Sequence, residues 1–174
     1  MSKLLRPMLV MPLLVAAPMA VADTAAAALP AVACNEVTGP AMRIEVRGFK
    51  QIRGNLRVQI YGSDPAQFVK GGKRLARIEE PVRTDPIRVC VPVPGPGRYA
   101  VAVRHDLNGD GKSGLSDGGG FSGNPSLSLG DAISGRMPHY DEVAVTVGSA
   151  PLKVDVVMQY VRGLSIGPVK SAKP

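Results

Sequence analysis

The sequence predicts an all-β fold, an antiparallel sandwich of about seven short strands that carries one long Gly/Asp-rich loop. Apolar residues alternate with polar ones in short runs along the middle of the chain. Clusters of Gly, Pro, Asn and Ser separate the runs. Between two of them, His105 to Gly120 gathers Asp106, Asp110 and Asp117 with Asn108 and a crowd of glycines. Alternation with period two is what a strand shows when one face lies on a core and the other in water.

The elements follow in chain order. Lys3 and Arg6 precede an apolar stretch from Met8 to Val21 that ends in small residues, the pattern of a secretory signal over residues 1–22 with cleavage after Ala22. Pro7, Pro12 and Pro18 interrupt the stretch. It is also shorter than the roughly 20 residues a membrane helix needs, so no transmembrane segment is expected after processing. A lipoprotein site at Ala31-Val32-Ala33-Cys34 is the weaker reading, because Cys34 lies far beyond the apolar run. The chain is therefore expected in the periplasm or outside the cell.

Residues 23–40 read as a flexible Ala-rich lead, 41–160 as the sandwich domain and 161–174 as a flexible basic tail. Strand-like alternation is carried by Ile44 and Val46, by Leu56, Val58 and Ile60, and by Ile87, Val89 and Val91. It returns at Tyr99, Val101 and Val103, at Val143, Val145 and Val147, and from Leu152 to Met158. Ile52-Arg53-Gly54-Asn55 reads as a hairpin turn between the first two strands. Pro94 to Gly97 and Val147 to Pro151 separate later strands, and Asp64 to Ala76 has room for one short helix. A Pro-Gly turn followed by Tyr99 and alternating valines recurs in transthyretin-like and other immunoglobulin-like secreted modules. There the tyrosine packs at the core edge while its hydroxyl ties down a connection.

Net charge is +7, and it falls by two once Lys3 and Arg6 are removed. Lys70, Lys73, Arg74 and Arg77 form one basic cluster, and Arg162, Lys170 and Lys173 lie in the tail. Either could touch an anionic envelope polymer or surface. With no Trp, three Phe and four Tyr, the chain offers no stacking platform, so nucleic acid is not an expected partner and a carbohydrate-binding face is poorly served. Cys34 and Cys90 are the only cysteines. Two thiols cannot build a structural zinc site, and export favours a disulfide between them.

From Asp106, side-chain oxygens occupy the first, third and fifth places (Asp106, Asn108, Asp110). Gly111 is sixth, the Lys112 carbonyl seventh and the Asp117 carboxylate twelfth. That is the ligand spacing of an EF-hand-type Ca²⁺ loop, in which alternate side chains turn inward on a hard cation and the sixth residue takes the sharp bend. The flanks are a strand and a glycine-rich coil, so this would be a calcium loop grafted between strands, with Asp131 or Asp141 as substitutes for Asp117. The same residues could instead form a chain of Asx turns that cap their own amides without an ion.

His105 with Ser122 or Ser126 invites a hydrolase reading. Neighbouring strand residues point to opposite faces, so His105 and Asp106 are badly placed as base and orienter. His105 reads better as a packed strand-end residue than as a catalyst or as a metal ligand with His139. Tyr160-Val161-Arg162-Gly163 departs from the C-terminal tetrapeptide of the hydroxyisourate hydrolases at Val161.

His-Asp-x-Asn-Gly-Asp-Gly-Lys after Gly-x-Tyr-Ala-Val-Ala-Val, then Gly120-Phe121-Ser122 and Pro138-His139-Tyr140-Asp141-Glu142-Val143, resembles the secreted bacterial family called domain of unknown function 2141. The resemblance spans about Met42 to Met158. It implies a β-sandwich, export, and a Gly-Phe-Ser segment folding over the acidic loop. Together these features suggest a secreted, envelope-associated binding or structural module with a calcium-binding-like loop; a small hydrolase or a carbohydrate-binding sandwich is the alternative.

Overall fold

The computed structural model describes residues 31–169. The expected signal segment, the start of the Ala-rich lead and the last five residues of the basic tail lie outside that range. No helix of the described residues is long and apolar enough to cross a membrane.

The architecture is an open sandwich of two antiparallel-rich sheets. The smaller has three strands: β4 (Ile87–Pro92), β1 (Ala41–Arg47) and β8 (Leu152–Val157), in that order. The larger runs β10 (Ser165–Gly167), β9 (Gln159–Arg162), β6 (Gly118–Phe121), β5 (Gly97–Asp106), β2 (Asn55–Tyr61), β3 (Ala76–Pro81). A further strand, β7 (Ala144–Val147), pairs with the first half of β5, while β6 pairs with the second half. Among the described residues the strands thus number ten where the alternation suggested about seven, and Ser165–Gly167 adds a paired strand within the segment read as tail.

Inward-facing side chains match the expected alternation. Met42, Ile44 and Val46 of β1 meet Leu56, Val58 and Ile60 of β2 and Val101 and Val103 of β5 in one buried core. What differs is how the chain moves between layers. Ile52–Asn55 does not close a hairpin: β1 pairs with β4 and β8, whereas β2 pairs with β3 and β5. The turn instead carries the chain from one sheet to the other, because both strands need a core-facing side and the two sides face each other. The connections β3–β4, β4–β5, β7–β8 and β8–β9 cross in the same way. At the last of these, Met158 is fully buried and its amide donates to the Arg47 carbonyl at 2.9 Å, so one extended segment serves both sheets.

β8 lies parallel to β1, from Met42 beside Leu152 to Arg47 beside Val157. Val143, read as the start of a strand, instead ends the helix α2 (Tyr140–Val143) and is fully buried. Asp64 to Ala76 holds only a 3-10 turn at Pro65–Gln67, capped by the Asp64 carboxylate on the Ala66 amide. The Tyr99 hydroxyl donates to the Gly95 carbonyl at 2.8 Å. This pins the Pro-Gly turn four residues upstream, as in the corner of immunoglobulin-like sandwiches.

Cys34 and Cys90 form a disulfide, with Cα atoms 5.2 Å apart. It fastens the end of the lead to β4, where Val37, Ala41 and Cys90 are buried together and Val32 donates to the Cys90 carbonyl.

Candidate functional site

Leu107–Asp117 is the connection between the antiparallel neighbours β5 and β6. Its conformation is set by side-chain oxygens capping backbone amides. Asp106 accepts from the Gly109 amide at 2.9 Å and the Gly111 amide at 2.8 Å. Asn108 Oδ1 accepts from the Asp110 amide at 3.3 Å, and its Nδ2 donates to Asp110 Oδ2 at 2.8 Å. Asp110 Oδ1 accepts from the Lys112 amide at 2.7 Å. Asp117 closes the loop by accepting from the Leu107 and Gly114 amides. The bend expected at Gly111 is present, with φ +76°.

One cation in this loop belongs to the chain. The Arg104 guanidinium, on β5, donates to the Gly111 carbonyl at 2.9 Å and to Ser113 Oγ at 3.0 Å, and lies 3.5 Å from Asp106 Oδ2. Among the described residues no three His, Cys, Asp or Glu side chains are grouped so that they could hold a metal ion together. The predicted residues Asp106, Asn108, Asp110, Lys112 and Asp117 lie in one loop, where the side-chain oxygens of Asp106, Asn108, Asp110 and Asp117 accept from backbone amides and Asp106 also faces Arg104. The Lys112 amide and the Asn108 carboxamide hold the Asp110 carboxyl below its usual range. Asp131 pairs with Arg136 at 3.1 Å and Asp141 with Arg98 at 2.6 Å, so neither joins the loop. Gly120-Phe121-Ser122 does not fold over it either: Gly120 and Phe121 belong to β6, beside β5.

His105 and Ser122 are not brought together. Ser122 Oγ accepts from the Val101 amide at 2.9 Å and donates to the Val143 carbonyl, binding α2 to β5. Ser126 is exposed. His105 is fully buried and spends both ring nitrogens. Nε2 lies 2.7 Å from the Arg53 carbonyl, which only an N–H can satisfy, so Nδ1 is the acceptor for the Tyr160 hydroxyl at 2.6 Å. The same hydroxyl accepts from the Lys50 amide at 3.1 Å. Burial pushes the His105 pKa down and that of Tyr160 up to about 12.

Two outcomes follow from this pair. Tyr160→Phe leaves His105 Nδ1 and the Lys50 amide without partners and should cost about 1–3 kcal/mol in a urea melt. Between pH 7.5 and 5, stability should fall. Below about 6.5 the unfolded histidine takes up a proton that the folded one refuses, so the contribution is complete above that pH and declines towards the lower folded pKa. A flat profile across this range would show that folding does not shift the His105 pKa.

The feature that the sequence concealed lies on the outer face of the large sheet. A groove of about 650 Å³ crosses it. Its floor is made by Tyr61 of β2, Ala102 of β5, Gly119 and Phe121 of β6, Val161 of β9 and Ile166 of β10. One wall is Leu115 of the acidic loop; the other is Leu127, Ile133 and Met137, in the segment that includes the helix α1 (Leu129–Ser134). Leu115 and Ile133 are each about three-quarters exposed, and they point into a cleft instead of a core. Sequence signals for this wall existed: Ser128 caps α1 on the Asp131 amide, and Gly135 ends it with φ +67°. Both match the start and stop pattern of a short helix.

The model of one protein family, described as uncharacterized protein conserved in bacteria, matches residues 44–155. The chain belongs to that family, domain of unknown function 2141. The match begins within β1 and includes β2 to β7, the acidic loop and most of β8; β9 and β10, which complete the groove floor, fall after it. No curated relative and no solved structure matches the chain.

Proposed function

We propose that the protein is an exported, envelope-associated binding module whose site is the groove on the outer face of the large sheet. The observation that carries this is the apolar floor and walls at a place where a sandwich ordinarily presents polar side chains to water. The volume falls within the range of about 300–1,000 Å³ typical of small-molecule sites. Export is supported by the signal-like N-terminus and by the disulfide, which an oxidising compartment preserves. In this reading the acidic loop is a stiffened rim that holds Leu115 over the cleft. A neutral fluorophore such as N-phenyl-1-naphthylamine should brighten on binding. Leu115→Glu with Ile133→Glu, both at exposed positions, should weaken that binding by at least about tenfold, as expected for losing one buried aliphatic contact. No brightening in the parent protein, or equal brightening in the variant, would overturn the assignment of the site.

Calcium is the alternative occupant of the loop, favoured by ligand spacing and opposed by Arg104. With the carboxylates already serving amides, the melting temperature is expected to be the same in excess Ca²⁺ and in chelator. Saturating calcium at a hundredfold over its dissociation constant would instead add about 2.7 kcal/mol. A rise that disappears in Asp106→Ala with Asp110→Ala would restore the ion.

A further inference from the structure

The two ends of the groove differ in chemistry. Its floor crosses five neighbouring strands from β10 to β2, a span of about 19 Å at the usual strand spacing. At the β10 end the lining is Val161 and Ile166. At the β2 end, Lys70 and Arg74 reach the mouth from the connection between β2 and β3. The other cations along the groove are committed, Arg136 to Asp131 and Arg104 to Asp106. Lys70 and Arg74 make no ion pair with a described residue. An apolar trough with two unpaired cations at one end is complementary to a molecule with one apolar chain and one anionic head.

We propose that the groove takes a single-chain anionic amphiphile of the fatty-acid class, its chain along β5, β6 and β9 and its carboxylate between Lys70 and Arg74. This rests on the groove being the binding site. A carboxylate suits the pair because the guanidinium fork of Arg74 can hold both oxygens while the ammonium of Lys70 supplies charge. The linear run of the floor suits one chain with one head.

The test separates the two claims. With N-phenyl-1-naphthylamine bound to the disulfide-intact protein, dodecanoate should displace the probe at about tenfold lower concentration than dodecan-1-ol, which has the same chain without the charge. Lys70→Ala with Arg74→Ala should remove that preference, so that dodecanoate and dodecan-1-ol displace the probe at the same concentration. If the probe binds but acid and alcohol displace it equally, or neither displaces it, the anionic head is refuted while the groove reading survives. Failure of the probe to bind removes both. Protein that sediments with phosphatidylglycerol vesicles while the probe stays bound and dodecanoate is inert would assign Lys70 and Arg74 to a membrane surface instead. Elution as a dimer that excludes the probe would assign the groove to a second copy. The comparison of acid with alcohol on the unmodified chain keeps the proposal testable even if the double variant folds poorly.

Discussion

Replacing Cys34 and Cys90 together by alanine is expected to lower the unfolding free energy by about 4 kcal/mol in the chain-entropy model, given the 56-residue separation of the two cysteines. For a chain of this size that corresponds to a fall in melting temperature of about 8–16 °C. The loop closed by the bond contains β1, β2 and β3, so its loss frees the unfolded chain over most of the first half of the domain. The folded state loses as well. Besides the bond, the lead is held by the Val32 amide on the Cys90 carbonyl, by Arg43 on the Val37 carbonyl, by the Val93 amide on the Pro40 carbonyl, and by the packing of Val37 and Ala41 around Cys90. Hydrogen exchange should locate the damage, with the Val32 amide losing protection while those of β2 and β5 keep theirs until global unfolding. A double variant within 1 kcal/mol of the parent would mean that this connection does not restrain the chain.

The core was legible because burial on a strand leaves a period-two trace, and the residues of β1, β2, β4, β5 and β8 bear it. β6 left none. Its sequence is Gly118-Gly119-Gly120-Phe121, which reads as coil, yet a side chain at Gly118 would stand 2.4 Å from the Tyr160 ring and one at Gly120 would stand 2.9 Å from Val156 and the Val157 carbonyl. Gly118 and Gly120 are glycine because neighbouring atoms already fill the space beside them, a tertiary demand that a local pattern does not reveal. The sheet crossings were hidden for a related reason: a turn that closes a hairpin and one that changes layers use the same Gly and Asn chemistry. At the acidic loop, the spacing correctly located the bend at Gly111. It left the cation open, because Asx turns and calcium ligation use the same residue types, and Arg104 enters from a strand that the loop motif does not include. The groove was least visible, since its walls come from short helical and irregular segments whose apolar residues face a cleft.

Gly54→Ala should be as damaging as losing the disulfide, at about 2–5 kcal/mol, and its cause can be isolated. Gly54 has φ +73°, and a Cβ there would lie 2.1 Å from the Asp106 carbonyl oxygen and 2.8 Å from that of Leu107. Both obstacles are backbone, so neither can rotate away. One part of the cost is the left-handed conformation, about 1–2 kcal/mol for a residue with a side chain. The other is displacement of packed atoms, typically about 1–3 kcal/mol. Gly111→Ala provides the control. Its φ is +76°, and nothing lies within 4 Å of the added carbon, so it should show the conformational part alone. The excess cost of Gly54→Ala over Gly111→Ala measures how firmly the sheet-crossing turn is pressed against the root of the acidic loop. Because Asp106 and Leu107 begin that loop, the displacement should also move Leu115 and weaken binding of a neutral probe in the groove, whereas loss of stability with unchanged probe affinity would show that the loop's own Asx turns hold the rim in place without the turn beneath it.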